Sequence, residues 1–99
     1  MIYMEERHEK TLKDIIKKYT FTFYLFGSRA RGDHKKFSDV DICFFEDIPW
    51  NIRAHIKEEF EESRLPYHVD LVDWNLCDEF FKNAIRGELV LIQGDKKIF

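Results

Sequence analysis

Two aspartates separated by one residue, Asp39-Val40-Asp41, open an apolar run from Val40 to Phe45. Strand side chains alternate, so both carboxylates share one face while Val40, Ile42 and Phe44 share the other. Their Cα atoms would lie about 6.6 Å apart on a strand. Both carboxylates then reach cations, including a pair about 3.5–4 Å apart of the kind used in phosphoryl chemistry. Two carboxylates this close repel, and a divalent cation resolves the repulsion. A strand entry with one exposed Asp would use the same residues.

Twelve residues upstream of Asp39, Gly27-Ser28 ends an aromatic and β-branched run. Glycine lets backbone approach a ligand closely, and the helix start that follows offers free N–H groups and a positive dipole end. A phosphate suits that place, and the Ser28 hydroxyl adds a donor. An ordinary turn with Ser28 capping a helix would also use this pair. Asp70 lies in the run His68-Val69-Asp70-Leu71-Val72. A carboxylate inside an apolar strand is costly unless paired or metal-bound. On a neighbouring strand it would complete a carboxylate triad and accept a proton from an attacking hydroxyl. A structural pair with Arg or Lys is the other use. Asp73 falls on the opposite face. The Gly-Ser and Asp-x-Asp spacing arises by chance in on the order of one in a thousand chains of this length.

These residues need a frame. Leu12, Ile15, Ile16 and Tyr19 recur at helical spacing and predict a helix over Glu5–Tyr19. Thr20–Phe26 reads as a buried strand, and Ser28 as the N-cap of a short helix through Arg31. Gly32–Ser38 is a polar loop, followed by a strand over Val40–Phe45. Ile52, Ile56 and Phe60 mark one face of a helix from near Pro49 to about Ser63. Tyr67–Val72 is a third strand. Asp78–Arg86 forms a helix with Phe80, Phe81, Ala84 and Ile85 inward and Gly87 as its cap. Leu89–Ile92 is a short last strand. This alternation is an α/β domain covering residues 1–99, with strand directions left open.

Composition limits the partners. The net charge of −3 excludes a uniformly basic nucleic-acid binder, and no long nucleic acid is expected as a ligand. The charge is unevenly spread: residues 1–38 hold nine basic and five acidic side chains, whereas residues 39–99 hold seven and fourteen. The sign changes inside the motif. Basic Arg29, Arg31, Lys35 and Lys36 flank the Gly-Ser turn, and the acidic part opens with Asp39 and Asp41. Arg29 and Arg31 are candidate phosphate or partner-acid contacts, or else ordering salt bridges, for instance to Asp33 or Asp41, a use that weighs more for Arg29. No apolar run approaches about 20 residues, so no membrane span is expected. Cys43 and Cys77 sit in apolar patterns and suit reduced core thiols of a cytoplasmic protein. Cys43 shares the face of the aspartates but reads as packing. His68 shares a face with Asp70. Trp50, Trp74 and Phe99 are candidates for a partly exposed partner surface.

The run Gly27-Ser28-Arg29-Ala30-Arg31-Gly32, then Asp39-Val40-Asp41, then Asp70, resembles the nucleotidyltransferase superfamily that includes polymerase β. The short chain is most similar to its minimal members, the MNT antitoxins paired with HEPN toxins. That resemblance implies a mixed, twisted β-sheet flanked by helices, with the site at one sheet end. It implies that Gly27 and Ser28 bind the β- and γ-phosphates of ATP. Asp39 and Asp41 would hold two Mg²⁺ ions; Asp70 would hold one of them and help activate the acceptor hydroxyl. The implied reaction transfers AMP to a tyrosine of a HEPN ribonuclease toxin and silences it. With no second domain expected to bind an acceptor, a partner is expected to present it. Two alternatives stay open. One is a non-catalytic nucleotide-binding antitoxin that acts by complex formation. The other is a catalytic subunit modifying a small molecule.

Overall fold

Strand β1 (Phe23–Phe26) is buried along its whole length, which requires cover on both faces of the sheet it joins. A computed structural model describes residues 2–94 and shows how that cover is made. Helix α1 (Glu6–Ile16) buries Leu12, Ile15 and Ile16, and α3 (Trp50–Glu62) buries Ile56 and Phe60. Both press onto the face carrying Phe23, Leu25, Val40, Ile42 and Phe44. Each such side chain removed from water contributes about 1.5–3 kcal/mol. The opposite face carries Tyr24, Phe26 and Cys43, covered by Trp74 and by Phe81 and Ile85 of α4 (Glu79–Ile85).

The sheet has the order β3-β2-β1-β4, where β2 is Val40–Phe44, β3 is Val69–Asp73 and β4 is Val90–Gln93. β1 runs antiparallel to β2 and β4, and β2 runs parallel to β3. This mixed sheet with helices on both faces is the expected architecture. Its directions bring four chain ends to one edge: the exit of β1, the entries of β2 and β3, and the turn before β4. The short helix α2 (Ser28–Arg31) leaves β1 at that edge.

Several local expectations need correction. β1 starts at Phe23 rather than Thr20, because the Gln93 amide donates to the carbonyls of Ile16, Tyr19 and Phe21 and holds that segment as a turn. Gly27, not Ser28, is the N-cap of α2, and its φ of 80° is the left-handed region that favours glycine. Gly32 closes the helix at φ 93°. Gly87 does not cap α4: Arg86 does, and residues 86–88 continue as a 3₁₀ turn. Asp78 caps the helix start by accepting from the Phe81 amide at 2.8 Å. Phe80 and Ala84 face solvent, since a seven-residue helix has room for only one inward stripe. Trp74 is buried and stacks on Phe45, with ring centroids 4.9 Å apart, whereas Trp50 is exposed. Phe99 lies outside the described residues. Cys43 and Cys77 are free thiols, and burial pushes Cys43 up to about 12. Among the described residues, no helix is long and apolar enough to cross a membrane.

Candidate active site

The strand register gathers the acidic residues. Asp41 pairs with Asp70 across the parallel β2–β3 ladder and with Phe26 across β1–β2. Laterally paired residues share a face, so Asp41 and Asp70 stand side by side. They continue the row of Cys43 and Val72. Asp39 precedes β2 by one residue and is exposed. Asp73 pairs with Phe44 on the other face. There it caps the turn after β3 and lies 3.6 Å from Arg53. Asp70 itself is solvent-exposed, so no burial cost demands a partner for it. Its neighbour His68 is exposed as well. The β2–β3 ladder, not burial, brings Asp70 to the site.

Asp41 is half-buried, and its carboxyl is pushed above the usual range. Burial contributes most, followed by the charges of Asp70 and Asp39, with Arg31 opposing. Asp41 therefore feels both of its acidic neighbours. No side chain among the described residues forms an ion pair with any of them. They do not yet converge on one point: no three acidic, His or Cys groups among the described residues form a ready-made cage. The donor set is nonetheless all oxygen, carries excess negative charge and is open to solvent on two of its three members. That chemistry fits a hard divalent cation, with Asp41 as the shared ligand.

Gly27 faces this cluster. A Cβ built on it would collide with the Asp41 carboxylate, so any side chain at this turn would force Asp41 to move. The Gly27 amide donates to the Glu88 carboxylate. The same carboxylate accepts from the Arg31 guanidinium at 3.0 and 3.2 Å, and Arg31 also holds Asp33 at 3.1 Å. These partners raise the Arg31 pKa further and keep it charged. Ser28 begins α2, one residue after the cap. Substituting Gly27 by Ala combines an unfavourable φ with the collision. The expected cost is about 1–3 kcal/mol of stability and on the order of 10²-fold in any chemistry that uses the Asp41 carboxylate, because Asp41 must shift. A thermal melt and a turnover assay check this; wild-type values in both would refute the close approach.

Two residues outside the motif shape the site. Arg29 is a large, fully buried side chain. Its Nε donates to the Ser38 carbonyl at 3.0 Å, Nη1 to Tyr3 at 3.0 Å and Nη2 to Lys36 at 3.3 Å. Its guanidinium stacks 3.9 Å from the Tyr67 ring centroid. It thus clamps the loop that delivers Asp39 to the segment that delivers β3. Its pattern in sequence suggested a salt bridge; the structure uses it on carbonyls. Glu88 gave no sequence signal at all. It lies 61 residues from Gly27 and follows a helix end that was assigned to a simple glycine cap.

Comparison with known proteins identifies the family. The family model for "Polymerase beta, Nucleotidyltransferase" matches residues 10–97. The chain is 42% identical over 79 residues to the probable protein adenylyltransferase MntA of Haemophilus influenzae, covering 78% of this chain and 69% of that protein. It superposes on a toxin–antitoxin crystal structure with AMP-PNP at a TM-score of 0.71 and 21% identity, over 90% of this chain and 75% of the other. A tri-AMPylated Shewanella oneidensis HEPN toxin in complex with its MNT antitoxin gives 0.67 at 19% identity, over 95% and 76%. The sheet order, the motif on its edge and the match along nearly the whole chain have one explanation: this chain belongs to the polymerase beta nucleotidyltransferase family, as a homologue of the MntA protein adenylyltransferases.

Proposed function

We propose that this protein is an antitoxin that transfers AMP from ATP to a tyrosine hydroxyl of a cognate HEPN toxin. The observation that carries the reading is the single sheet edge at which a side-chain-free turn, Gly27, meets the Asp41–Asp70 pair. The H. influenzae homologue supplies the reaction class, and the tri-AMPylated HEPN complex of a fold neighbour supplies the acceptor class. AMP-PNP in the other neighbour supports ATP as donor.

In this reading the Gly27 amide, the Ser28 hydroxyl and Arg31 bind the β- and γ-phosphates. Asp39, Asp41 and Asp70 would hold Mg²⁺, whose two-ion arrangement is what the resemblance implies. Bound Mg²⁺ would neutralise the triphosphate and the charge that develops on transfer. The tyrosyl oxygen attacks the α-phosphorus in line, the bond to the β-bridging oxygen breaks, and pyrophosphate leaves. Asp70, exposed on its strand, takes the tyrosyl proton. The −3 net charge suits a site that binds phosphates locally rather than a long polyanion. Free Cys43 and Cys77 suit a reducing cytoplasm, where ATP is plentiful.

The test uses ATP labelled at either the α- or the γ-phosphate, with Mg²⁺ and the HEPN partner. Label should reach the partner from the α-position only. Label from the γ-position would indicate a kinase, and label from neither would refute the enzyme reading.

A further inference from the structure

We propose that Glu88 is the resident anion of the phosphate subsite: its carboxylate holds the Gly27 amide and the Arg31 guanidinium until a triphosphate displaces it. The inference rests on the nucleotide reading above. It concerns a positioning residue, because Glu88 acts through Gly27 and Arg31 and not on the reacting atoms.

Glu88 receives a backbone N–H from the tightest point of the turn and two contacts from one guanidinium. A charged oxygen bridging a turn amide and one guanidinium nitrogen, Nη1 of Arg31, occupies a place that a phosphate oxygen would take on the same donors. The two anions therefore compete for one place. Arg31 has a second carboxylate, Asp33, so it stays anchored and charged when Glu88 leaves. Glu88 retains 16% side-chain exposure at the end of a single 3₁₀ turn, beside solvent into which it can swing. Before nucleotide arrives, the carboxylate keeps the turn in the shape that clears Asp41. It also gives the Gly27 amide and Nη1 of Arg31 their partner. The consequence is an exchange: each triphosphate that enters loses affinity equal to the cost of displacing Glu88.

Glu88→Gln keeps the shape and removes the charge. Calorimetric titration with AMP-PNP and Mg²⁺, and with tripolyphosphate as a base-free probe, should show about tenfold tighter binding than wild type. The nucleotide-free melting temperature should fall, since two donors lose a charged partner. A merely structural Glu88 gives the same fall with weaker binding. Equal or weaker binding by the variant therefore overturns the proposal. Wild-type protein provides a second reading that needs no mutant. On addition of tripolyphosphate, the Glu88 carboxyl ¹³C resonance and the Gly27 amide should both move. An unmoved Glu88 with a shifted Gly27 overturns the exchange while leaving the nucleotide site intact. No binding of either probe by wild type overturns the nucleotide reading itself, and the exchange with it.

Discussion

Asp41→Asn is expected to lower AMP transfer on the order of 10³-fold or more while leaving the nucleotide-free protein as stable as wild type or more so. The two halves of this result have one origin. Asp41 is the central member of the acidic cluster, paired with Asp70 in register and pressed against Gly27. Burial and the charges of Asp70 and Asp39 raise its pKa. A carboxyl whose folded pKa lies above its unfolded value binds its proton more tightly when folded. In its ionised form it opposes folding, and this opposition fades as pH falls through the folded pKa. A neutral amide of the same shape removes that cost along with a cation ligand. Turnover with the partner and a melt without nucleotide check both halves. Retained transfer would mean that the cluster is not the cation site. A large fall in melting temperature would mean that Asp41 is structural.

Arg29→Met is expected to produce the largest loss of stability of any single change at this sheet edge. The substitution keeps a long apolar stem but leaves the carbonyls of Tyr3, Lys36 and Ser38 without their donor. It also removes the stack on Tyr67. Hydrogen bonds to a charged group contribute about 1.5–3 kcal/mol each, and they act here as a unit. A loss of about 3 kcal/mol or more is expected, and with it a fall on the order of 10–20 °C in melting temperature for a domain of this size. Arg29→Lys should recover little, because an ammonium cannot reach three diverging carbonyls from a flat fork. Calorimetry measures this directly, and a variant melting within about 2 °C of wild type would contradict the clamp. Transfer should fall as well, since the loop ending at Ser38 sets where Asp39 stands.

The parts of this molecule that were legible in sequence are those written in short periods. The alternation Asp39-Val40-Asp41-Ile42 gave the face of each residue, and the Ile52, Ile56 and Phe60 stripe gave the inward face of α3. The aspartate pair and the Gly-Ser turn were found by spacing because backbone geometry converts spacing into direction. What was not legible depends on contacts between distant segments. The β2–β3 register that sets Asp70 beside Asp41 is a property of the sheet, and the solvent exposure of Asp70 follows from the sheet edge. Glu88 meets Gly27 only because β4 pairs antiparallel with β1 and the turn before β4 falls at the exit of β1. Phe80 reads as core by type, yet a seven-residue helix leaves it on the outside. Arg29 looked like a salt-bridge residue because its carbonyl partners come from three places, none of which carries a side-chain signature.

The central claim is that this sheet edge modifies a partner protein rather than merely binding it. The most direct measurement is intact-mass and peptide-mapping spectrometry of the HEPN partner after incubation with ATP, Mg²⁺ and this protein, with the Asp41→Asn variant run in parallel. The account predicts that the partner gains the mass of one or more AMP groups, located on tyrosine, with wild type and not with the variant. A partner that forms a complex with both proteins and keeps its unmodified mass in both would contradict it.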